Sequence, residues 1–193
     1  MKYLLLLAFP TLLLVFIGWS SSSSVHQASG SATAAKHSSH SLSADTVDQY
    51  PVQKTEEEWK ELLSWREYRV LRSGGTEIPF TNEYYDSKEE GIYYCGACGQ
   101  PLYLSNTKFA SGTGWPSFWE PISANAVDEK EDNILFMTRT EIVCSRCGSH
   151  IGHVFEDGPE PTGLRYCMNS QALDFEKADL DSISPAQLSL YKN

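Results

Sequence analysis

The sequence predicts a mainly β domain with short helices ahead of its strands and a metal site that staples the strands together. Three observations lead to this fold class. After Gly75, turn-forming residues recur every few positions between short aromatic or β-branched runs, which is typical of short antiparallel strands with tight turns. Two capping-box sequences precede that region. Two Cys-x-x-Cys pairs lie within it.

Two short helices are expected at the start of the domain. Thr55 and Glu58 have the spacing of a capping box, and the apolar residues that follow, including Trp59, lie on one helical face. Ser64 and Glu67 repeat the signal for a second helix. We expect both helices to pack over a sheet edge.

The strands are expected among short apolar runs, of which residues 92–94, 134–137 and 141–143 are examples. The strand region is predicted to end near Phe175. Residues 178–193 are predicted to form an exposed acidic tail, with one helical turn after Pro185.

The charge of the chain excludes one class of partner. The 193 residues include 25 acidic and 15 basic side chains, a formal net charge of −10, and all of the acidic residues follow His40. The electrostatic field of a negatively charged protein repels the phosphates of a nucleic-acid backbone, so no nucleic-acid partner is expected. A hydrophobic content of 41% suits a chain that folds around a packed core.

The first 54 residues are predicted to lie outside the fold. Lys2 precedes an apolar run over residues 3–17, which is short for a membrane span and typical of a signal peptide, here predicted over residues 1–20. A retained membrane anchor and an organelle transit peptide are the alternatives. Residues 21–54, rich in Ser and Ala in their first half, are predicted to be a flexible linker. We therefore expect entry into the secretory pathway, with the protein secreted or in the endoplasmic reticulum lumen, and membrane association only if the leader is uncleaved.

Two cysteine pairs predict one structural zinc ion per chain. Cys95 and Cys98 form the first pair and Cys144 and Cys147 the second, each with a glycine directly after it. Four thiolates in two such turns make a closed tetrahedral site, and the glycines permit the positive φ that turns N–H groups toward sulfur. Disulfides are the alternative in an oxidising compartment. A disulfide within one pair would be strained, whereas disulfides between the two pairs remain an alternative to zinc.

Cys167 is the one cysteine outside these pairs. If residues 165–169 form a strand, its period of two places Arg165, Cys167 and Asn169 on one face, while Tyr166 and Met168 face the core. A neighbouring cation lowers the pKa of a thiol, which favours a reactive thiolate. A buried structural cysteine is the alternative.

Two histidines and a tryptophan are further candidates for the site. His150 and His153 directly follow the second pair and would face opposite sides of a regular strand; a bulge at Gly152 would bring both to one side, and otherwise only one reaches the site. Trp115 lies among two glycines and a proline, a shaped loop that either presents an aromatic face to a ligand or packs into the core.

Taken together, these residues resemble the zinc-containing branch of the methionine sulfoxide reductase B family. The resemblance covers residues 55–177. The motifs that carry it are Gly75-Thr76-Glu77, Pro79-Phe80-Thr81, the two cysteine pairs, the Gly-Trp-Pro-Ser-Phe loop at residues 114–118, the His-Ile-Gly-His-Val-Phe run at residues 150–155, Asp157-Gly158-Pro159, and the Arg-Tyr-Cys-Met-Asn-Ser run at residues 165–170. It implies two antiparallel sheets with short flanking helices.

The resemblance also implies an activity, the reduction of the R epimer of methionine sulfoxide, free or in oxidised proteins. It makes Cys167 the nucleophile and Trp115 and Phe118 the substrate-binding residues. The remaining site residues that it implies are His150, His153, Asp157, Arg165 and Asn169.

The chemistry of these residue types agrees with that activity. A thiolate attacks the sulfoxide sulfur while His153 or His150 delivers a proton, leaving methionine and a sulfenic acid that a thiol must reduce. Asn169 and Asp157 would orient the histidine, and Arg165 would favour the thiolate.

One departure from the family pattern concerns recycling. Many members carry a resolving cysteine in the loop before the Gly-Trp pair, where this chain has Thr113. We therefore expect direct reduction by an external thiol, either a thioredoxin-like protein or a small dithiol, and we expect a monomer. A zinc-stapled protein-interaction module without catalysis is the alternative function, which would need neither Cys167 nor the two histidines.

Overall fold

Two helices open the part of the chain that the structure describes. A computed structural model describes residues 50–134, 137–184 and 186–187. Helix α1 spans Glu56–Leu62 and helix α2 spans Trp65–Leu71. Thr55 and Glu58 cap α1 reciprocally, with Thr55 N–H donating to the Glu58 carboxylate at 2.7 Å, and Ser64 caps α2 in the same way. Both predicted capping boxes are confirmed.

Both helices contribute to the core. Trp59 of α1 and Leu71 of α2 are buried in it. Helix α2 contacts the strand His150–Phe155 and the 3-10 turn Ser170–Ala172, which leads directly into the strand Leu173–Lys177 at an edge of the smaller sheet. The packing of both helices over a sheet edge stays a prediction.

Nine strands follow within the described residues. They are β1 Gly91–Cys95, β2 Pro101–Leu104, β3 Lys108–Phe109, β4 Ser117–Phe118, β5 Val127–Ile134, β6 Met137–Cys144, β7 His150–Phe155, β8 Arg165–Met168 and β9 Leu173–Lys177. They form a three-stranded sheet in the order β2-β1-β9 and a six-stranded sheet in the order β3-β4-β8-β7-β6-β5. Every strand pair is antiparallel, so the predicted pair of antiparallel sheets with short flanking helices is confirmed.

Some predicted boundaries differ from the observed ones. The run predicted as a strand over residues 134–137 is divided between the end of β5 and the start of β6, and Leu135 and Phe136 lie outside the described residues. Residues 50–54, predicted as linker, contact the second cysteine pair, since Val52 N–H donates to the Arg146 carbonyl at 2.8 Å. The predicted leader, the linker up to residue 49 and the turn after Pro185 lie outside the described residues, apart from Ala186 and Gln187. In the portion described, no helix combines the length and apolarity needed to cross a membrane.

The core centres on an aromatic cluster between the two sheets. The rings of Tyr103 and Phe118 stack at 4.4 Å, and Tyr93 meets Phe118 edge-on at 5.0 Å. Phe118 has an exposed fraction of 0%, so its predicted role in binding substrate is wrong for this structure. The physical reason is the period of two: Ser117, opposite Cys167, faces the site, and the next side chain must therefore face the core.

Candidate active site

The four paired cysteines converge at the junction of the two sheets. Cys95 is the last residue of β1 and Cys144 the last residue of β6. The four sulfurs all lie within 4.8 Å of one another. Cys95 Sγ is 3.7 Å from Cys147 Sγ, and Cys98 Sγ is 3.6 Å from Cys144 Sγ. A tetrahedral site with Zn–S bonds of about 2.3 Å has sulfurs about 3.8 Å apart, so the donor set fits zinc.

The same distances argue against the alternative of disulfides between the pairs. A disulfide needs sulfurs about 2.05 Å apart, and all five cysteines are free thiols. Gly99 and Gly148 both have positive φ, as expected for these turns. Their N–H groups donate to the carbonyl oxygens of Cys95 and Cys144 at 2.8 Å, so these bonds tighten each turn through the backbone. A zinc ion held here would join the three-stranded sheet to the six-stranded one.

Cys167 lies in the middle of β8, between two polar neighbours. Ser117 on β4 pairs with it on one side, and His153 on β7 pairs with it on the other. Tyr166 and Met168, its neighbours along the strand, are buried in the core, as the strand period predicts. Cys167 itself is partly exposed, on the opposite face of the sheet from these two side chains.

A bulge in β7 brings both histidines to the face of Cys167. Ile142 pairs with Gly152 and Val143 with His150, which leaves Ile151 as the extra residue. The two histidine rings are consequently 5.4 Å apart, so of the two alternatives the structure has the bulge, with its extra residue one position before Gly152. A side chain at position 152 would place its Cβ 2.1 Å from the Cys167 carbonyl oxygen, so this close approach of β7 and β8 requires glycine.

Each histidine is paired with a carboxylate that the sequence did not reveal. His150 Nδ1 is 2.6 Å from Glu141 Oε1, and His153 Nε2 is 2.9 Å from Asp132 Oδ2. Asp132 also accepts a hydrogen bond from Arg139 at 2.6 Å. These hydrogen bonds lower the pKa of both carboxyl groups, whereas burial lowers the pKa of His153. The carboxylates fix which ring nitrogen of each histidine is engaged.

Asp157 and Asn169, which were expected to orient a histidine, have other hydrogen-bond partners. Asp157 accepts two hydrogen bonds from Arg165, at 2.8 and 2.9 Å, which lower its pKa. The Asn169 amide donates to the Ile151 carbonyl at 3.1 Å and accepts from Glu77 N–H at 3.1 Å. Neither residue orients a histidine ring through these bonds, and that expectation is wrong. Asn169 instead holds the backbone of the bulge.

The surroundings of Cys167 shift the pKa of its thiol in opposite directions. Burial raises the pKa of its thiol, while the Thr113 and Ser117 hydroxyls and the Arg165 guanidinium lower it. Arg165 therefore acts in the expected direction, but burial has the larger effect and the pKa is raised. Arg165 is itself bound to Asp157 and lies over the Phe155 ring at 4.3 Å.

The loop that contains Trp115 lies directly beside the nucleophile candidate. Thr113 Oγ1 is 3.9 Å from Cys167 Sγ. Trp115 is half-buried, and its indole N–H donates to the Glu77 carbonyl at 3.2 Å. A cavity of about 710 Å³ runs along the other side of this loop and includes Trp115 and Phe80 in its lining. Cys167 does not line this cavity.

Glu77 is a third residue whose role the sequence did not reveal. Its carboxylate accepts hydrogen bonds from the N–H groups of Ser170 and Gln171 at 2.6 and 2.7 Å, and its backbone contacts both Asn169 and Trp115. Glu77 thus connects the segment after Cys167 to the tryptophan loop. Its place beside Gly75 and Thr76 in a recognised motif was the only signal that could have identified it.

The zinc-compatible cluster, the two sheets and the cysteine–histidine face define the class of protein. Residues 63–177 match the model of the SelR domain, and the chain belongs to this family. Its relatives are named peptide methionine sulfoxide reductase MsrB. The protein of that name from Methanosarcina mazei is 60% identical over 131 residues, covering 68% of this chain and 94% of the relative. Those from Hahella chejuensis and Leptospira interrogans are 53% and 52% identical, over 68% and 66% of this chain and 94% and 98% of their own lengths.

Proposed function

We propose that this protein reduces the R epimer of methionine sulfoxide to methionine and thereby repairs oxidised proteins. The observation that carries the proposal is the placement of Cys167 directly opposite His153, on a face that also holds a second histidine and two carboxylates. A zinc-stapled interaction module without catalysis has no use for this arrangement, so it is not favoured.

The proposed reaction uses Cys167 as the nucleophile. Its thiolate attacks the sulfoxide sulfur, and a proton reaches the sulfoxide oxygen as the sulfur–oxygen bond weakens. The protonated oxygen leaves as water, and Cys167 is then bonded to the methionine sulfur. Attack of water on the Cys167 sulfur breaks this S–S bond, which releases methionine and leaves a sulfenic acid on Cys167. We assign the proton to His153, because its strand position is paired with Cys167, and Asp132 holds its Nε2 so that the other ring nitrogen is free to face the substrate.

The neighbouring residues would bind and hold the substrate. Trp115 would pack against the methyl group of the sulfoxide, since its ring is partly exposed on the loop that reaches Cys167. The cavity alongside this loop has room for the flanking residues of a protein substrate. Zinc would contribute only to the fold, because its four ligands close the coordination sphere.

Recycling would depend on a thiol from outside the chain. The four other cysteines belong to the zinc-compatible cluster, and Thr113 occupies the place of a resolving thiol. Two equivalents of external thiol would convert the sulfenic acid to the thiol, with release of water and formation of a disulfide. A small dithiol would enter the pocket readily, and a thioredoxin-like protein would react more slowly.

The test is an assay on separated R and S epimers of an N-acetylated methionine sulfoxide. We expect turnover of the R epimer only, and none in Cys167→Ser. One turnover without reductant, followed by dimedone, should add a single adduct on Cys167. Substantial turnover in Cys167→Ser would falsify the assignment of the nucleophile.

We also propose export into the secretory pathway and a monomeric state. Support for export comes from the apolar run over residues 3–17 and the Ser-rich segment behind it. Fusion of residues 1–45 to a fluorescent reporter tests this, and a cytosolic or plastid signal would contradict it. Size-exclusion chromatography with light scattering tests the monomer.

A further inference from the structure

Three hydroxyl groups form a chain that ends at the sulfur of Cys167. Ser117 Oγ donates to Ser111 Oγ at 2.7 Å. Ser111 Oγ is 2.8 Å from Thr113 Oγ1, and Thr113 Oγ1 is 3.9 Å from Cys167 Sγ. Ser117 comes from β4, while the other two hydroxyls belong to the loop before it.

The direction of these hydrogen bonds follows from the donors around Ser111. The Ser117 hydroxyl has two acceptors within reach, the Trp115 carbonyl at 3.2 Å and the Ser111 oxygen at 2.7 Å, and we take the nearer one, Ser111, as the acceptor of its proton. The Ser111 oxygen also accepts, at 3.4 Å, from the backbone N–H of Thr113. A serine oxygen has two lone pairs, so both are occupied. The Ser111 proton must therefore be donated to Thr113. Thr113, which already accepts that proton, is left with its own proton to donate to Cys167 Sγ.

We propose that Thr113 is a catalytic residue whose hydroxyl donates to the Cys167 thiolate, and that Ser111 and Ser117 are positioning residues that fix the direction of this bond. The inference rests on the proposed function only in naming Cys167 as the nucleophile. Thr113 thus has a chemical role of its own at the position where a resolving thiol would stand.

The sulfur needs such a donor because its surroundings oppose the charged form. Cys167 is largely buried, which raises the pKa of its thiol. The charged or titratable groups on its face of the sheet are Arg165 on its own strand, His150 and His153 on β7, and the carboxylates Glu141 and Asp132 that pair with the two histidines. Arg165 is bound to Asp157, and His153 is paired with Asp132. The hydroxyl chain from β4 and its preceding loop is the remaining contact, and hydrogen bonds to a charged acceptor are stronger than those between neutral groups.

The pH dependence of Cys167 alkylation tests the proposal without any sulfoxide. Zinc-loaded protein is treated with limiting iodoacetamide across pH, and intact mass confirms one adduct per chain. The rate of Cys167 alkylation rises with pH, and its midpoint is the pH at which the rate reaches half its maximum. In Thr113→Val, which keeps the shape of the side chain and loses the hydroxyl, we expect this midpoint to lie about one pH unit higher than in the wild type. Thr113→Ser, which restores the hydroxyl, should return the midpoint to the wild-type pH.

Ser111→Ala tests the chain behind Thr113. We expect a smaller rise of the midpoint, because Thr113 keeps its hydroxyl but loses the partner that orients it. An unchanged midpoint in Thr113→Val would overturn the proposal, and so would a Thr113→Ser midpoint that matches Thr113→Val. An unchanged midpoint in Ser111→Ala would overturn the positioning role. Turnover of the R sulfoxide by wild-type protein, measured in parallel, shows separately whether the proposed function holds.

Discussion

Replacing Thr113 by cysteine should create the resolving thiol that this chain lacks. The hydroxyl of Thr113 is 3.9 Å from Cys167 Sγ, so a cysteine sulfur at that position needs to move by less than 2 Å to reach bonding distance of about 2.05 Å. After oxygen transfer, the new thiol should attack the sulfenic acid, forming a disulfide and releasing water. Thioredoxin-driven recycling should then become faster, because a disulfide is the substrate that thioredoxin reduces.

The size of the expected stabilisation follows from the separation of the two positions. They lie 54 residues apart in the sequence. Closing a loop of that length removes unfolded-state entropy worth up to roughly 4 kcal/mol in the free energy of unfolding. The oxidised Thr113→Cys variant should therefore unfold at a temperature roughly 10 °C above its reduced form.

Intact mass and calorimetry measure the two consequences. After one turnover without reductant, Thr113→Cys should lose two hydrogens and trap no dimedone, whereas Thr113→Ser should trap one adduct and form no disulfide. A persistent sulfenic acid in Thr113→Cys would refute the geometry of the loop. A disulfide between Cys167 and a zinc-site cysteine in the wild type would refute the proposed recycling step.

Three further predictions concern the histidine pair, the metal and an exposed methionine. Burial lowers the pKa of His153, and the hydrogen bond to Asp132 opposes that shift. Asp132→Asn should therefore lower the pKa of His153 further and move the alkaline limb of the profile of kcat/KM against pH to lower pH. An alkaline limb that stays at the same pH excludes His153 as the acid. Chelation of zinc, or Cys147→Ser, should abolish the cooperative thermal transition, since metal binding and folding are coupled; an unaltered melting curve contradicts the structural role. Dilute peroxide should oxidise Met137, which is 65% exposed, before Met168, which is 1% exposed, and peptide masses showing the opposite order contradict the burial of these two side chains.

The parts of the fold that depend on local signals were predictable from sequence. Thr55 and Ser64 begin helices because each capping box is complete within four residues. The cysteine pairs and the alternation around Cys167 are also local patterns. The bulge in β7 was predictable as one of two alternatives, because Gly152 lies directly after the extra residue, Ile151.

The residues that sequence reasoning missed are set by pairing between distant strands. Glu141 and Asp132 are two of 25 acidic residues, and only the register of β5, β6 and β7 brings them to the histidines. The misassignment of Phe118 has the same origin, because it depends on which face of β4 pairs with β8. Likewise, the pKa of Cys167 depends on its burial, which composition and spacing do not specify.

The order of the smaller sheet has a consequence for the synthesis of the chain. Strand β1 lies between β2 and β9, and Gly91 pairs with Lys177 near the C-terminal end of the described domain. A ribosome releases β1 well before β9, so this sheet cannot close until the last strand has emerged. Until that moment the nascent chain lacks the pairing of β1 with β9, which completes the sheet that carries Cys95. Emergence of β9 from the ribosome thus sets the earliest time at which the three-stranded sheet can close.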